Sequence, residues 1–275
     1  MYLCSHSIFI NKKTMFEHDI SMSEFLELYQ KSNICFDDGY RDIYLIKNKI
    51  SKSKYKIFIF ICTDFIEKKS TIWWLELHKY IFNESNKFMN FSINNKFYSY
   101  ELKNKIKRNQ YYLKVSRLFK SLDIISQEKI LTQILGSKKR TNFSSLFLTW
   151  EMIKELSKVD NIVIGSHSMS HPNLLLESKS QIYNQLLNSK KIIESHINKE
   201  CLHFAIPYGG FDSFNKSIIK EIYSLGYKYI FTTNPLFIDK HALNLIGRIN
   251  TKAHNNKFFI LRLKYLIKSI INSFI

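Results

Sequence analysis

The run Lys56-Ile-Phe-Ile-Phe-Ile-Cys62 limits the fold more than any other stretch of this chain. Side chains alternate across a strand, so a strand that is apolar at every position must be covered on both faces. β-Branched and aromatic residues also suit a pleated, buried surface. The run follows a shorter one, Ile34-Cys35-Phe36, and a helical stretch from Arg41 to Ile50 in which Ile43, Ile46 and Ile50 share one side. Strand, helix, strand is the unit of a parallel sheet wrapped in helices.

The chain on either side fits that unit, with one interruption. Near the start, Met1 to Ile10 is apolar, and Ser21 or Ser23 can cap a helix carrying Phe25, Leu26 and Tyr29. His6 would end a first strand, where a lone histidine reads as structural. Residues about 72–148 break the rhythm. Trp73 and Trp74 open a helical pattern, and Leu113, Leu118, Leu122, Ile125 and Ile130 keep helical spacing, so this part is expected to be a mostly helical insertion. Alternation resumes with a helix capped by Thr149 and a strand at Asn161–Gly165. A long helix over Ser178–Ile197 carries Ile182, Leu186, Ile193 and Ile197 in one stripe. Strands at Leu202–Ile206, Tyr229–Thr232 and Leu243–Ile246 follow, with a helix at Asn215–Leu225 closed by Gly226. The α/β pattern suits a barrel or a doubly wound sheet.

At 275 residues, 45% hydrophobic and 15% aromatic, the chain can bury a large core and does not read as disordered. Its 41 basic and 23 acidic residues give a formal charge of +18. The lysines are scattered and form no nucleic-acid motif, so no nucleic-acid partner is expected. Cys4, Cys35, Cys62 and Cys201 lack CxxC spacing, and two lie in apolar runs, which suits free thiols in a reducing compartment. The first residues lack a basic segment and a cleavage site, so a cytoplasmic location is expected. A basic amphipathic helix at about 256–275 would cover the barrel wall or touch the inner face of the membrane peripherally.

Three strand ends carry chemistry. The first is Asp37-Asp38-Gly39, directly after Ile34-Cys35-Phe36. Two adjacent carboxylates repel when both are ionised, and a cation beside them removes that cost. Alone, such a pair is equally suited to capping a helix. The second is Gly165-Ser166-His167-Ser168-Met169-Ser170-His171-Pro172, whose two imidazoles leave a strand-end loop four residues apart. His167, His171 and one of the aspartates make a three-ligand N2O set with a coordination position left for water, and the other aspartate is then available as a base. The third is Pro207-Tyr208-Gly209-Gly210, where the proline stiffens a turn and the glycines admit close backbone approach. In parallel α/β folds such groups gather at the carboxyl ends of the strands.

Taken together, Phe36-Asp37-Asp38-Gly39, Ser166–Pro172 and Pro207-Tyr208-Gly209 resemble the first three motifs of the polysaccharide deacetylase family, carbohydrate esterase family four, in the family's order and over about residues 31–232. The resemblance implies a distorted (β/α) barrel of about seven strands, with residues 1–275 forming one catalytic domain. It implies Asp37 as general base and Asp38, His167 and His171 as ligands of a divalent ion, zinc or else cobalt or nickel. The Tyr208 N–H would stabilise an oxyanion, and Pro207 and Arg248 would lie on the substrate side. The implied reaction removes N-acetyl groups from a glycan or lipid-linked saccharide in surface-polysaccharide assembly. Two departures stand out. Ala205 replaces the arginine that usually orients the base, with Arg248 as a substitute from a later strand. The Leu-x-His motif that supplies the general acid is not recognisable, and His241 and His254 are candidates by position alone. These departures leave a second reading, a carbohydrate-binding member impaired in turnover.

Overall fold

The computed structural model describes residues 2–6, 8–9, 20–234 and 244–251. The expected C-terminal helix at about 256–275, together with His241 and His254, lies outside them. In chain order the strands are β1 (Tyr2–Ser5), β2 (Ile8–Phe9), β3 (Ile20–Ser21), β4 (Asn33–Phe36), β5 (Ile57–Ile61), β6 (Phe88–Ile93) and β7 (Lys96–Glu101), then β8 (Ile162–Ser166), β9 (His203–Ala205), β10 (Tyr229–Thr232), β11 (Leu245–Gly247) and β12 (Ile249–Asn250).

Eight of them form one sheet in the order β11-β10-β9-β8-β5-β4-β1-β12, and every pairing in it is parallel. The two outermost strands, β11 and β12, are consecutive in the chain and separated only by Arg248. The sheet therefore curls until both edges meet on one segment. With 245–250 counted as a single stave, this is the distorted (β/α) barrel of about seven strands that the sequence implied.

β5, at the middle of the order, is buried at every residue, as its unbroken apolar run requires. Helices cover the outer wall. The longest among the described residues, Lys179–Ile197, starts at a reciprocal cap between Ser178 and Gln181 and buries Ile182, Leu186, Ile193 and Ile197. Each such side chain contributes about 1.5–3 kcal/mol on leaving water. The helix expected over Arg41–Ile50 is two short ones, Asp42–Leu45 and Lys47–Ile50, because the backbone at Ile46 leaves helical angles.

The segment at 72–148 holds helices Trp73–Phe82, Lys105–Lys120 and Ile124–Leu135, and also the antiparallel hairpin β6–β7. The sequence reading missed the hairpin. Its turn is Asn94-Asn95, both with positive φ (49° and 60°), the conformation a two-residue hairpin turn demands. This segment has its own core, built from residues such as Leu77, Met89, Phe91, Phe119 and Leu131. No helix among the described residues is long and apolar enough to cross a membrane.

Candidate active site

The site lies at the carboxyl ends of β4, β8 and β9, where Asp37-Asp38, His167 and Pro207-Tyr208 leave the sheet. Parallel pairing puts these ends on one rim of the barrel. Asp38 (φ 69°), Ser168 (φ 69°), His171 (φ 61°) and Tyr208 (φ 61°) are all left-handed. Non-glycine residues hold that conformation only where their surroundings impose it, which is common at functional loops.

Asp38, His167 and His171 offer one ligand atom each, and the three atoms lie within 4.8 Å of one another, all on buried residues. Asp38 Oδ1 is 3.7 Å from Nε2 of both histidines. His167 Nδ1 donates to the Ala205 carbonyl at 2.7 Å. With its proton fixed on Nδ1, the lone pair of Nε2 faces the carboxylates, the tautomer a metal ligand needs. Burial keeps both imidazoles neutral: His167 is held below its ordinary range, and His171 further below it, pushed by His167 and His6 as well. Two neutral imidazoles and one carboxylate fit a zinc-like divalent ion.

Helix Lys179–Ile197 holds the histidine loop in shape. Gln185 Oε1 accepts from Met169 N (3.0 Å) and Ser170 N (3.1 Å), and its Nε2 donates to Ser170 Oγ (2.8 Å). Inside the loop, His171 N donates to Ser168 Oγ at 3.1 Å.

Asp37 is set apart from the ligand group. Its Oδ1 accepts from Arg248 Nη1 at 2.5 Å, while Oδ2 faces His167 Nε2 at 3.8 Å and the Cys4 thiol at 3.5 Å. Both partners are buried, with Asp37 3% and Arg248 1% exposed, so the pair sits where charge interactions are strong. Burial pushes the Asp37 carboxyl up, but the Arg248 guanidinium overrides it, with help from His167, and holds the group well below the usual carboxylate range. The guanidinium stands 5.4 Å over the Phe60 ring of β5, across the barrel interior. Phe60 in turn relies on Gly165, where a Cβ would lie 2.6 Å from the ring. Ala205, small and fully buried beside Phe60 and Phe231, lends only its carbonyl to the site.

The Pro207-Tyr208 turn is pinned from behind. Gly209 N donates to Pro207 O, and Thr233 Oγ1 donates to Tyr208 O at 3.0 Å. The Tyr208 N–H has no backbone partner among the described residues, which leaves it a donor. The Tyr208 ring stands edge-on to His171 at 4.6 Å, and Trp74 of the 72–148 segment does the same at 5.4 Å. Trp74 Nε1 donates to Tyr40 Oη at 3.3 Å, tying that segment to the loop after Asp38.

All seven residues singled out in the sequence are thus placed: Asp37, Asp38, His167, His171 and Arg248 converge, with Pro207 and Tyr208 on the adjacent turn. Sequence reasoning missed Trp74 and Gln185, which no local motif announces. It also gave His6 no role beyond structure. That residue follows β1 directly and is close enough for its charge to act on both Asp37 and His171.

Residues 30–230 match the family described as polysaccharide deacetylase. Solved structures give the same fold at low identity. A de-N-acetylase from Aggregatibacter actinomycetemcomitans aligns with TM-score 0.54 at 14% identity, covering 90% of this chain and 93% of the other. IcaB from Ammonifex degensii aligns with TM-score 0.51 at 12% identity, covering 96% and 98%. The Streptococcus pyogenes deacetylase PplD, solved with acetate, aligns with TM-score 0.51 at 14% identity, covering 90% of each chain. Comparison with curated proteins finds no match.

Proposed function

Since this chain belongs to the polysaccharide deacetylase family, we propose that it hydrolyses the N-acetyl groups of an N-acetylated polysaccharide with the help of a divalent ion, zinc by preference. The observation that carries the reading is the separation of roles at the adjacent aspartates: Asp38 joins the two histidines, while Asp37 is taken by Arg248. Asp38, His167 and His171 would hold the ion, which when bound supplies Lewis acidity to the acetyl carbonyl and to water.

The protein's own groups do the rest. Asp37, ionised by its guanidinium partner, removes a proton from the attacking water. The Tyr208 N–H donates to the oxygen that gains charge as the carbonyl carbon becomes tetrahedral. The departing nitrogen must gain a proton before it leaves as a free amine. The products are acetate and a free amino sugar.

The test is acetate release from a panel of N-acetylated glycans and lipid-linked saccharides, with and without chelator, beside metal analysis of variants. Asp38→Ala and His171→Ala should lose the ion, and Asp37→Asn should keep it but stop turnover. Full metal occupancy in the first two would sink the assignment. The binding-only reading rests on the missing arginine and the missing Leu-x-His motif, and Arg248 at Asp37 weakens the first of these grounds alone. It predicts glycan binding without acetate under every condition.

A further inference from the structure

The two oxygens of the Asp37 carboxylate have different neighbours. Arg248 Nη1 holds Oδ1, whereas Oδ2 accepts from the Cys4 thiol, with sulfur and oxygen 3.5 Å apart. Strand β1 brings the thiol there. It pairs with β4 on one side, setting Cys4 opposite Cys35, and with β12 on the other, setting Cys4 opposite Asn250. Cys4 thus stands between the strand that leads into Asp37 and the stave that carries Arg248. Leu3 belongs to the large core, while Tyr2 packs with Phe58 and Phe231 beside Cys35. Alternation along β1 therefore turns Cys4 the same way as Tyr2, into the barrel. The main chain adds a second tie, since Asp37 N donates to Ser5 O at 3.0 Å.

A buried cysteine ordinarily serves as a small apolar filler. This one is placed to donate. Burial pushes its thiol well up, against the pull of Arg248, so the sulfur keeps its proton. The imidazole that also faces Oδ2 does not donate to it. His167 gives its Nδ1 proton to the Ala205 carbonyl, so Nε2, 3.8 Å from Oδ2, offers a lone pair. A single contact at Oδ1 leaves a carboxylate able to turn about its Cβ–Cγ bond, and a second at Oδ2 fixes its plane. A thiol is a weak donor, so it can orient Oδ2 and still leave that oxygen able to take up a proton. We propose that Cys4 is a positioning residue for the deacetylation: its S–H sets the plane of the Asp37 carboxylate and aims Oδ2 at the attacking water. The role rests on the reading of Asp37 as base. The contact itself rests on geometry.

Infrared spectroscopy of the full chain reads the contact with neither substrate nor metal. The S–H stretch falls in a window that other protein groups leave clear, and the Cys4 band is the one missing from Cys4→Ser. In Asp37→Asn, Arg248 keeps the amide oxygen, the amide nitrogen turns to Cys4, and the thiol loses its acceptor. We expect the band to move to higher frequency, toward that of a thiol without an acceptor. An unmoved band overturns the contact. Kinetics then reads the role, as acetate release from the same N-acetylated glycans and lipid-linked saccharides with zinc bound. Cys4→Ala should lower kcat by about tenfold, the scale of a base held slightly out of aim, with KM and zinc content unchanged. Cys4→Ser restores a donor at the same place and should recover most of the loss. Cys4→Val fills the space without a donor and should be as slow as Cys4→Ala, which keeps the test open if the alanine variant does not fold. A packing role alone gives the reverse pattern, with lower thermal stability at unchanged kcat and no recovery by serine. Full kcat in the alanine or valine variant overturns the proposal, as does a serine variant no faster than they are. A moving band without acetate from any glycan defeats the deacetylase reading and leaves the contact standing. Acetate release indifferent to Cys4 does the opposite.

Discussion

Arg248 and Asp37 are 211 residues apart in the sequence and 2.5 Å apart in the fold. The arginine that usually precedes the Pro-Tyr-Gly turn in this family is absent, and a guanidinium from the stave at 245–250 pairs with Asp37 instead. Its charge decides the protonation of Asp37 against the pull of burial.

Replacing Arg248 with Met should therefore leave Asp37 to burial alone, raise its pKa and protonate it nearer neutrality. We expect kcat to fall by about 10²–10³ and the acid limb of kcat/KM to move to higher pH. Lys at 248 keeps the charge without the fork and should retain more activity at an intermediate limb. Breaking a buried pair also costs about 3–5 kcal/mol, so urea unfolding must accompany the kinetics. An unmoved acid limb in Arg248→Met would remove Asp37 from the role of base.

Acid should weaken the metal-free fold in two stages. His167, His171 and His203 have folded pKa values below their unfolded value, with His203 at about 4. Such groups bind more protons when unfolded, so they cost nothing well above about pH 6.5 and destabilise increasingly below it. Asp37 is depressed as a carboxylate. Its contribution is present above about pH 4 and is lost as pH falls toward its low folded value. The urea midpoint in chelator should be flat from pH 8 to 7, fall below 6.5 and fall faster below 4. A midpoint that rises between pH 7 and 5 would contradict neutral buried histidines.

Gln185 touches neither ion nor substrate, yet it shapes the loop that carries both histidines. Gln185→Leu should weaken zinc affinity by roughly tenfold, measured by competition with a chromophoric chelator. Gln185→Glu keeps two acceptors for Met169 N and Ser170 N and should recover part of the loss. Equal affinity in all three proteins would show that the loop holds its own shape.

Gly165→Ala drives a methyl into the Phe60 ring and toward the His203 carbonyl, 2.9 Å from the added carbon. Overpacking of this kind costs about 1–3 kcal/mol, readable from urea unfolding. Because Phe60 lies under the Arg248 guanidinium, kcat should fall as well. A stability loss with kcat intact would show that the arginine does not depend on that ring.

The barrel was legible wherever burial is total or periodic. β5, β10 and helix Lys179–Ile197 fell where the sequence put them, because an unbroken apolar run or a single stripe permits few alternatives. The hairpin at Phe88–Glu101 was not. Its alternation is diluted by Asn, Ser and Lys, and Asn-Asn is a weaker turn signal than Asn-Gly. At the site, motif residues could be found because their spacing along the chain reflects their ligand geometry. Trp74 and Gln185 act through contacts that only the packed fold creates, and His6 stood in the sequence as a lone histidine. Arg248 was legible as a spare charge on a late strand, but its partner was named only by the family likeness.

The segment 245–250 pairs with β10 through β11 and with β1 through β12, and Arg248 stands at the join. The stave at 245–250 is thus both the clasp of the barrel and the supplier of the guanidinium that pairs with Asp37. Until it docks, β1 and β10 present bare edges open to pairing with other chains, and Asp37 is without its guanidinium. A chain lacking this segment should therefore lose the Asp37–Arg248 pair and be prone to self-association.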